Sequence, residues 1–334
     1  MRIRWNSILT VSAALAVLVF VQVMPAVQAP AAGQRGAGAA APAAPQAPAA
    51  GAAAPAQGAG RGGGARGGGG RGGGQPAAPA GPVPRLSNGK PDLSGHWANP
   101  YANNMAGRGA VLDPTKKRAD GTFEPLTWDG QGAAIAESKG TPKNFDLPYT
   151  AWGRKQWADY DPVANGDYAG SCLPFGMSRN INSPHGLQMV AHPDALAILF
   201  EQNTWFTFIP INDSVKWPAD LPPSWNGLSK GRWDGDTLII ETTGFNGYTR
   251  LDTTGHPHSK EVKMVNTLLR TDSNTIQHTV TIHDPKAYTK DWMNVRTWRL
   301  KPATDVLMEY SCEENNLGIF DGAIKRWTIP EDLD

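Results

Sequence analysis

The sequence predicts an all-β fold: an antiparallel up-and-down β-barrel with long loops, one or two short helices and one open mouth. Three observations predict it. Runs rich in β-branched and aromatic residues recur in the second half of the chain, among them Leu196 to Phe200, Trp205 to Ile211, Thr237 to Thr243 and Ile276 to His283. Several alternate with period two. In Ile276 to His283 every odd-numbered side chain is polar, which leaves one face dry and the other wet. Finally, tight turns alternate with long connections from Gly186 to Trp327, so a meander would gather the long loops at one end.

The chain begins with residues 1–31, which have the layout of a signal peptide. Arg2 and Arg4 precede an apolar run from Ile8 to Val23, and Ala29-Pro30-Ala31 fits a small-residue cleavage site. The run is shorter than the roughly 20 residues of a spanning helix. Cleavage would leave no membrane span; the alternative is an uncleaved anchor. The expected location is secreted or periplasmic.

Residues 32–84 form a spacer of Ala, Gly, Pro and Arg with no large aliphatic side chain before Val83. With so little apolar area to bury, ordering entropy wins, and the segment is expected to be a disordered tether. Arg61, Arg66 and Arg71 punctuate its glycine tract, but no Phe or Tyr interleaves them to stack on bases. Nucleic acid is therefore not an expected partner.

Residues 85–334, about 250 in number, are within reach of one all-β domain. Its loop-rich first part, 100–182, offers two short helices, Gly130 to Lys139 and Thr150 to Tyr160, the latter with Thr150 as N-cap. His192-Pro193-Asp194-Ala195, Asp234-Gly235-Asp236, Arg270 to Asn274 and Lys301 to Asp305 are the tight turns. Glu201 to Thr204 is either another turn or a bulge in one long strand. Val306 to Glu313 alternates and is expected to be the last strand. Asn212 to Gly227, Gly244 to Lys260, Asp284 to Asp291 and the stretch after Glu313 are the long connections. The net charge of +1 steers no charged partner. Cys172 and Cys312, the two cysteines, either bridge in an oxidising envelope or serve as small buried apolar residues.

Two resemblances follow. Pro91-Asp92-Leu93-Ser94-Gly95-His96-Trp97 resembles the Gly-x-Trp start of lipocalin-like barrels. That likeness implies a Trp97 that closes the barrel floor, beneath Arg299 or Arg326 from a late element. Gly231-Arg232-Trp233-Asp234-Gly235-Asp236-Thr237-Leu238, Gly255-His256-Pro257-His258-Ser259 and Asp284-Pro285-Lys286-Ala287-Tyr288-Thr289-Lys290 resemble a family of secreted bacterial proteins frequent in soil bacteria. This likeness implies an envelope location and a shared fold, and no particular activity.

The candidate site residues lie in the long connections. His256 and His258, two apart on an extended segment, point the same way and would suit a divalent metal, with Asp252 as third ligand or orienting group; otherwise no cofactor is expected. His283, Asp284 and Tyr288 are an acid–base set at a strand end. Glu201, Glu241 and Glu309 lie on expected strands and face either solvent or the lumen, where a pair would suit hydrolytic chemistry. Trp217 and Trp225, stiffened by nearby prolines, suit stacking on a cyclic ligand, with Arg250, Asp252, Glu313 and Asn315 beside them. No nucleophile elbow, phosphate-binding glycine loop or HExxH zinc motif is read in the folded part. The leading expectation is a barrel that takes a small, partly apolar or cyclic molecule into its lumen through the mouth. The alternatives are a hydrolase or lyase at the same mouth and a structural envelope module with a filled barrel. Oligomeric state is left open.

Overall fold

The structure, a computed structural model, describes residues 80–102, 104–106, 111–130, 132, 146–211, 217–314 and 316–329. Nearly all of the expected helix at 130–139, together with residues 1–79, 212–216 and Asn315, lies outside them. The described elements in chain order are β1 (Gly95–Ala98), β2 (Leu112–Lys117), β3 (Phe123–Pro125), α1 (Ala151–Ala158), α2 (Met177–Ile181), β4 (Leu187–His192), β5 (Ala195–Phe200), β6 (Phe206–Pro210), β7 (Leu228–Asp234), β8 (Thr237–Thr243), β9 (Lys263–Asp272), β10 (Thr275–His283), β11 (Trp292–Leu300) and α3 (Leu317–Phe320). Among the described residues, no helix is long and apolar enough to cross a membrane.

Nine strands form a nearly closed all-β barrel in the order β6-β5-β4-β1-β11-β10-β9-β8-β7, with every neighbouring pair antiparallel. β2 and β3 hang from β11 as a flap that covers Met293. An odd number of antiparallel strands has a geometric consequence. The two end strands, β6 and β7, run in the same direction and meet at the seam without a hydrogen-bonded ladder.

The period-two patterns set the register. On β10 the even residues Ile276, His278, Val280 and Ile282 face inward. His278 lies opposite Arg296 of β11 and Leu268 of β9. Tight turns at Pro193-Asp194, Gly235-Asp236 and Ser273-Asn274 share one end of the barrel, the floor, with Gly235 at φ +57 supplying the left-handed turn residue. Connections β8–β9 and β10–β11 share the other end, the mouth, with the long stretch between β1 and β4. Glu201 to Thr204 is a turn containing one turn of 3-10 helix, which makes β5 and β6 separate strands. This extra reversal sets β6 running down to the floor. β6 therefore ends at the floor, whereas Ser224, ahead of β7, pairs with Phe245 at the mouth.

The expected strand Val306 to Glu313 does not form. β10 pairs along one side of β11, and the other side carries β1 at Arg299 and Leu300 and β2 at Met293. Instead the chain leaves the floor at Lys301 and runs to the mouth, where Tyr310 meets His185 edge-on at 5.7 Å.

The N-terminal segment straps the floor. Gly81 and Ser273 bond each other through Gly81 N to Ser273 Oγ (2.8 Å) and Ser273 N to Gly81 O (3.0 Å). Arg85 is bidentate to Asp236 (2.9 and 2.7 Å), Lys90 Nζ reaches Gly235 O (3.0 Å), and Asn88 reaches Pro193 O (3.4 Å). Above this strap lies Trp97, fully buried, its Nε1 donating to Leu93 O at 3.0 Å. The cation over its ring, 5.0 Å from the centroid, is Arg270 of β9, in place of the expected Arg299 or Arg326. Arg270 fits because it also binds the carbonyls of Asp92 and Ser273, joining strap to floor. Arg299 instead donates to Thr275 Oγ1.

The lumen is packed. Leu187, Met189, Leu196, Ile198, Leu238, Ile240, Leu268, Ile276 and Trp298 project into it and are each at most 1% exposed. The five residues of α2 are all buried and close the barrel from above. Met177 receives a hydrogen bond from Thr207 Oγ1 on β6, and Asn182, just past the helix, accepts one from Arg296 on β11. A ligand in the lumen, as the sequence suggested, would have to displace this stopper.

Candidate binding site

The mouth is held by a knot of buried polar groups. Thr150 caps α1 by accepting from Gly153 N (3.1 Å) and donates its own hydroxyl to Lys286 O (2.5 Å). A Cβ on Gly153 would sit 2.1 Å from Ala287 O, so only glycine lets the helix lie so close on the β10–β11 connection. From α1, buried Trp157 donates to Thr254 O (3.1 Å) and packs at a tilt against His256 with centroids 4.9 Å apart. Gly255 has φ +86, and a Cβ there would lie 1.9 Å from Tyr160 Cδ1. This is the physical reason that the Gly-His-Pro-His-Ser segment begins with glycine.

The structure brings together four of the five expected catalytic residues. His256, His258, Asp284 and Tyr288 are buried in this knot. Asp284 accepts from Ser259 N (2.6 Å), Ser259 Oγ (2.8 Å) and Ala287 N (3.1 Å). Tyr288 donates to Pro257 O (2.7 Å) and stacks on Tyr149. His256 contacts the Tyr149 hydroxyl through Nδ1 (3.1 Å) and Asn104 Oδ1 through Nε2 (3.3 Å). His258 contacts Ser259 O through Nδ1 (3.0 Å) and Thr249 Oγ1 through Nε2 (2.5 Å). The two imidazoles thus serve different neighbours, with both nitrogens of each ring engaged. Asp252 accepts from Met105 N, Thr254 N, Thr254 Oγ1 and His256 N, and its Oδ2 stands 3.9 Å from His256 Nε2. Burial pushes the Tyr149 and Tyr288 hydroxyls well above the usual phenol range and pulls His258 below the usual imidazole range. The hydrogen bonds of the knot run among its own side chains and to the backbone of the loops around it. Among the described residues, no group of three His, Cys, Asp or Glu side chains is gathered to hold a metal. His283 lies apart, half exposed and bonded to Asp291 at 2.7 Å.

The other expected residues scatter more widely. Glu241 faces solvent beside Lys263 (3.2 Å) and Arg232 (3.9 Å). Glu201 lies at the mouth, 3.9 Å from His185. Glu309 belongs to the irregular segment after β11. Trp217 donates to Ser229 O (2.9 Å). Trp225 packs with Tyr168, Tyr248 and Trp327 in a second aromatic cluster. Arg250 sits over Tyr160 at 5.5 Å and reaches Gln156 Oε1 (3.3 Å). Glu313 borders two small clefts beside the disulfide. One motif escaped the sequence reading: Gly227-Leu228-Ser229-Lys230-Gly231 has Gly-x-Ser-x-Gly spacing. It lies at the start of β7, where buried Ser229 bonds Thr242 Oγ1 (2.8 Å), so no strand-to-helix elbow presents the serine.

Cys172 and Cys312 are bridged. The bridge pins the segment after β11 against the loop before α2, and the two sides enclose a cleft of about 670 Å³. Tyr101, Asp167, Phe175, Arg179, Gln202 and Tyr310 are among its lining residues. The Arg179 guanidinium bonds Asp167 in bidentate fashion (2.9 and 2.7 Å) and lies between the rings of Tyr168 (4.9 Å) and Phe175 (5.2 Å). α2 therefore works in two directions: Arg179 borders the cleft, while Met177 and Asn182 plug the lumen. Sequence reasoning missed this set because it comes from aperiodic loops. The one legible signal was Cys172 and Cys312, which tie its two walls. No protein-family model matches this chain, and the search of curated proteins finds no relative.

Proposed function

We propose that this chain is an exported, tethered barrel that binds a small, partly apolar or cyclic molecule in the cleft over its mouth. One observation carries the reading. A cleft of about 670 Å³ combines the rings of Tyr101, Phe175 and Tyr310 with a few polar side chains, and that size and mixture suit a small-molecule site. The filled lumen and the α2 stopper favour this outer cleft over the barrel interior. The N-terminal leader and the disulfide support an oxidising envelope location.

The test is a thermal-shift and calorimetric screen of the mature chain against sugars, phenolics, lipids and metals. A ligand that binds in the cleft should lose roughly three- to tenfold in affinity on Tyr310→Ala, the worth of one aromatic contact. A screen in which every class leaves the melting temperature and the heat signal unchanged would overturn the reading.

A further inference from the structure

We propose that the outer face of β4, β5 and β6 docks a second copy of this chain, sheet against sheet, in a weak two-fold dimer. The inference concerns the barrel wall and does not depend on what the cleft binds.

Alternation along these strands sends Leu187, Met189, Leu196, Ile198 and Ile209 into the packed lumen and their neighbours outward. Pairing then lays the outward side chains in rows: Gln188, Leu199 and Phe206 in one, Val190, Ala197 and Phe208 in the next. A third row, at the floor, holds His192, Ala195 and Pro210. No Asp, Glu, Lys or Arg stands in these rows. A sheet face turned to water is ordinarily the polar one. The wall of β7, β8 and β9 obeys that rule, with Arg232 and Lys263 ion-paired to Glu241 across its outer side. Here, instead, Phe206 is 62% exposed, Val190 51% and Phe208 46%. On the β1 side the apolar surface continues: Asp305 is held through its carbonyl by His96, and Val306 and Met308, just beyond, are both more than half exposed.

Charge, shape and area select the occupant. A two-fold interface sets a patch against itself, so any charge near the axis meets its own copy. A face without charges escapes that repulsion. A second sheet suits its form, packed about 10 Å away with strands within roughly 30° of its own. A bilayer surface is usually met by Lys and Arg beside the apolar side chains, and the rows hold none. With about 4.8 Å between strands and about 6.8 Å between successive outward side chains, the rows cover roughly 300 Å². A standard interface takes roughly 800 Å² per partner, so the dimer is weak and reversible.

The experiment is sedimentation velocity on the full mature chain, disulfide intact, from about 5 to 500 µM, a range that brackets the affinity of so small an interface. The sedimentation coefficient should climb from that of a monomer towards that of a dimer, and raised salt should not reverse the climb, because no charge pair holds the copies together. The double variant Phe206→Ser/Phe208→Ser should weaken the dimer about tenfold or more. Arg232→Ala, on the other wall, should leave it unchanged. Ala197, in the middle row between Val190 and Phe208, tests the two-fold arrangement. Ala197→Glu and Ala197→Lys should each be monomeric alone, and an equal mixture of the two should dimerise. Thermal melts establish that every variant is folded. A monomer throughout the concentration range overturns the inference. So does a dimer that the double Phe variant leaves intact, which would place the contact on another face. A chain that stays monomeric but co-sediments with phosphatidylcholine vesicles, and loses them with the Phe pair, would assign the face to a membrane and sink the dimer.

Discussion

His278 has a consequence that its neighbours dictate. It is 1% exposed, packs at a tilt against Trp298 with centroids 4.5 Å apart, and meets Asn266 Oδ1 through Nε2 at 2.9 Å. Burial, with Arg296 adding repulsion, pushes its pKa down to about 3. An unfolded chain takes up that proton near pH 6.5. Between those values the unfolded state holds one proton more than the folded state, so stability falls as pH drops from 6.5 towards 3. The slope for one such group is at most about 1.4 kcal/mol per pH unit, and the total is bounded at roughly 5 kcal/mol. His258, lowered mainly by burial, acts in the same direction. Urea unfolding at pH 7.5, 5.5 and 4.5 should show the decline, and His278→Phe should flatten it by close to one proton. An unchanged slope in that variant would mean that the protons enter elsewhere.

At the scale of elements, legibility followed periodicity. β8 and β10 announce themselves through alternating side chains, and α1 through the Thr150 cap, because each records its environment in a repeat. α2 leaves no such record. It has five residues, all buried, and no side-chain cap, so the barrel mouth around it determines its helix. Val306 to Glu313 shows the opposite failure: a local pattern good enough for a strand, in a segment that instead leaves the floor and runs irregularly to the mouth. The site followed the same division. The histidine knot was visible as motifs, whereas the cleft is assembled from Tyr101, Arg179, Gln202 and Tyr310, which share no spacing. What keeps the irregular wall in place is the bridge between Cys172 and Cys312, 140 residues apart. A loop of that length gives a chain-entropy ceiling of about 5 kcal/mol. The Cys172→Ser/Cys312→Ser double variant should therefore lose about 2–5 kcal/mol in denaturant unfolding. Any cleft ligand should bind it at least tenfold more weakly, since Tyr310 loses its anchor. Unaltered affinity in the double variant would show that the wall keeps its place without the bridge.

Over the whole molecule, the two ends of the barrel are closed by different means, and this asymmetry makes a prediction of its own. The mouth is closed by α2 and the knot around His256. The floor is closed by residues 81–93, which touch all three tight hairpin turns and support Trp97 through Leu93 O. Each contact is slight, and several are exposed pairs of the kind that contribute little alone. Their effect lies in sharing one segment: fixing it once satisfies every turn. A chain that starts at Pro91 should therefore loosen all three turns together, where a chain that starts at Ala80 should not. Amide hydrogen exchange measures this directly. Protection at Asp194, Asp236 and Asn274 should fall in concert in the shorter chain, with a lower melting temperature. The centre of β9 and β10, the most extensively paired strands, should change least. If only one turn responds, the segment is three unconnected contacts and closes nothing.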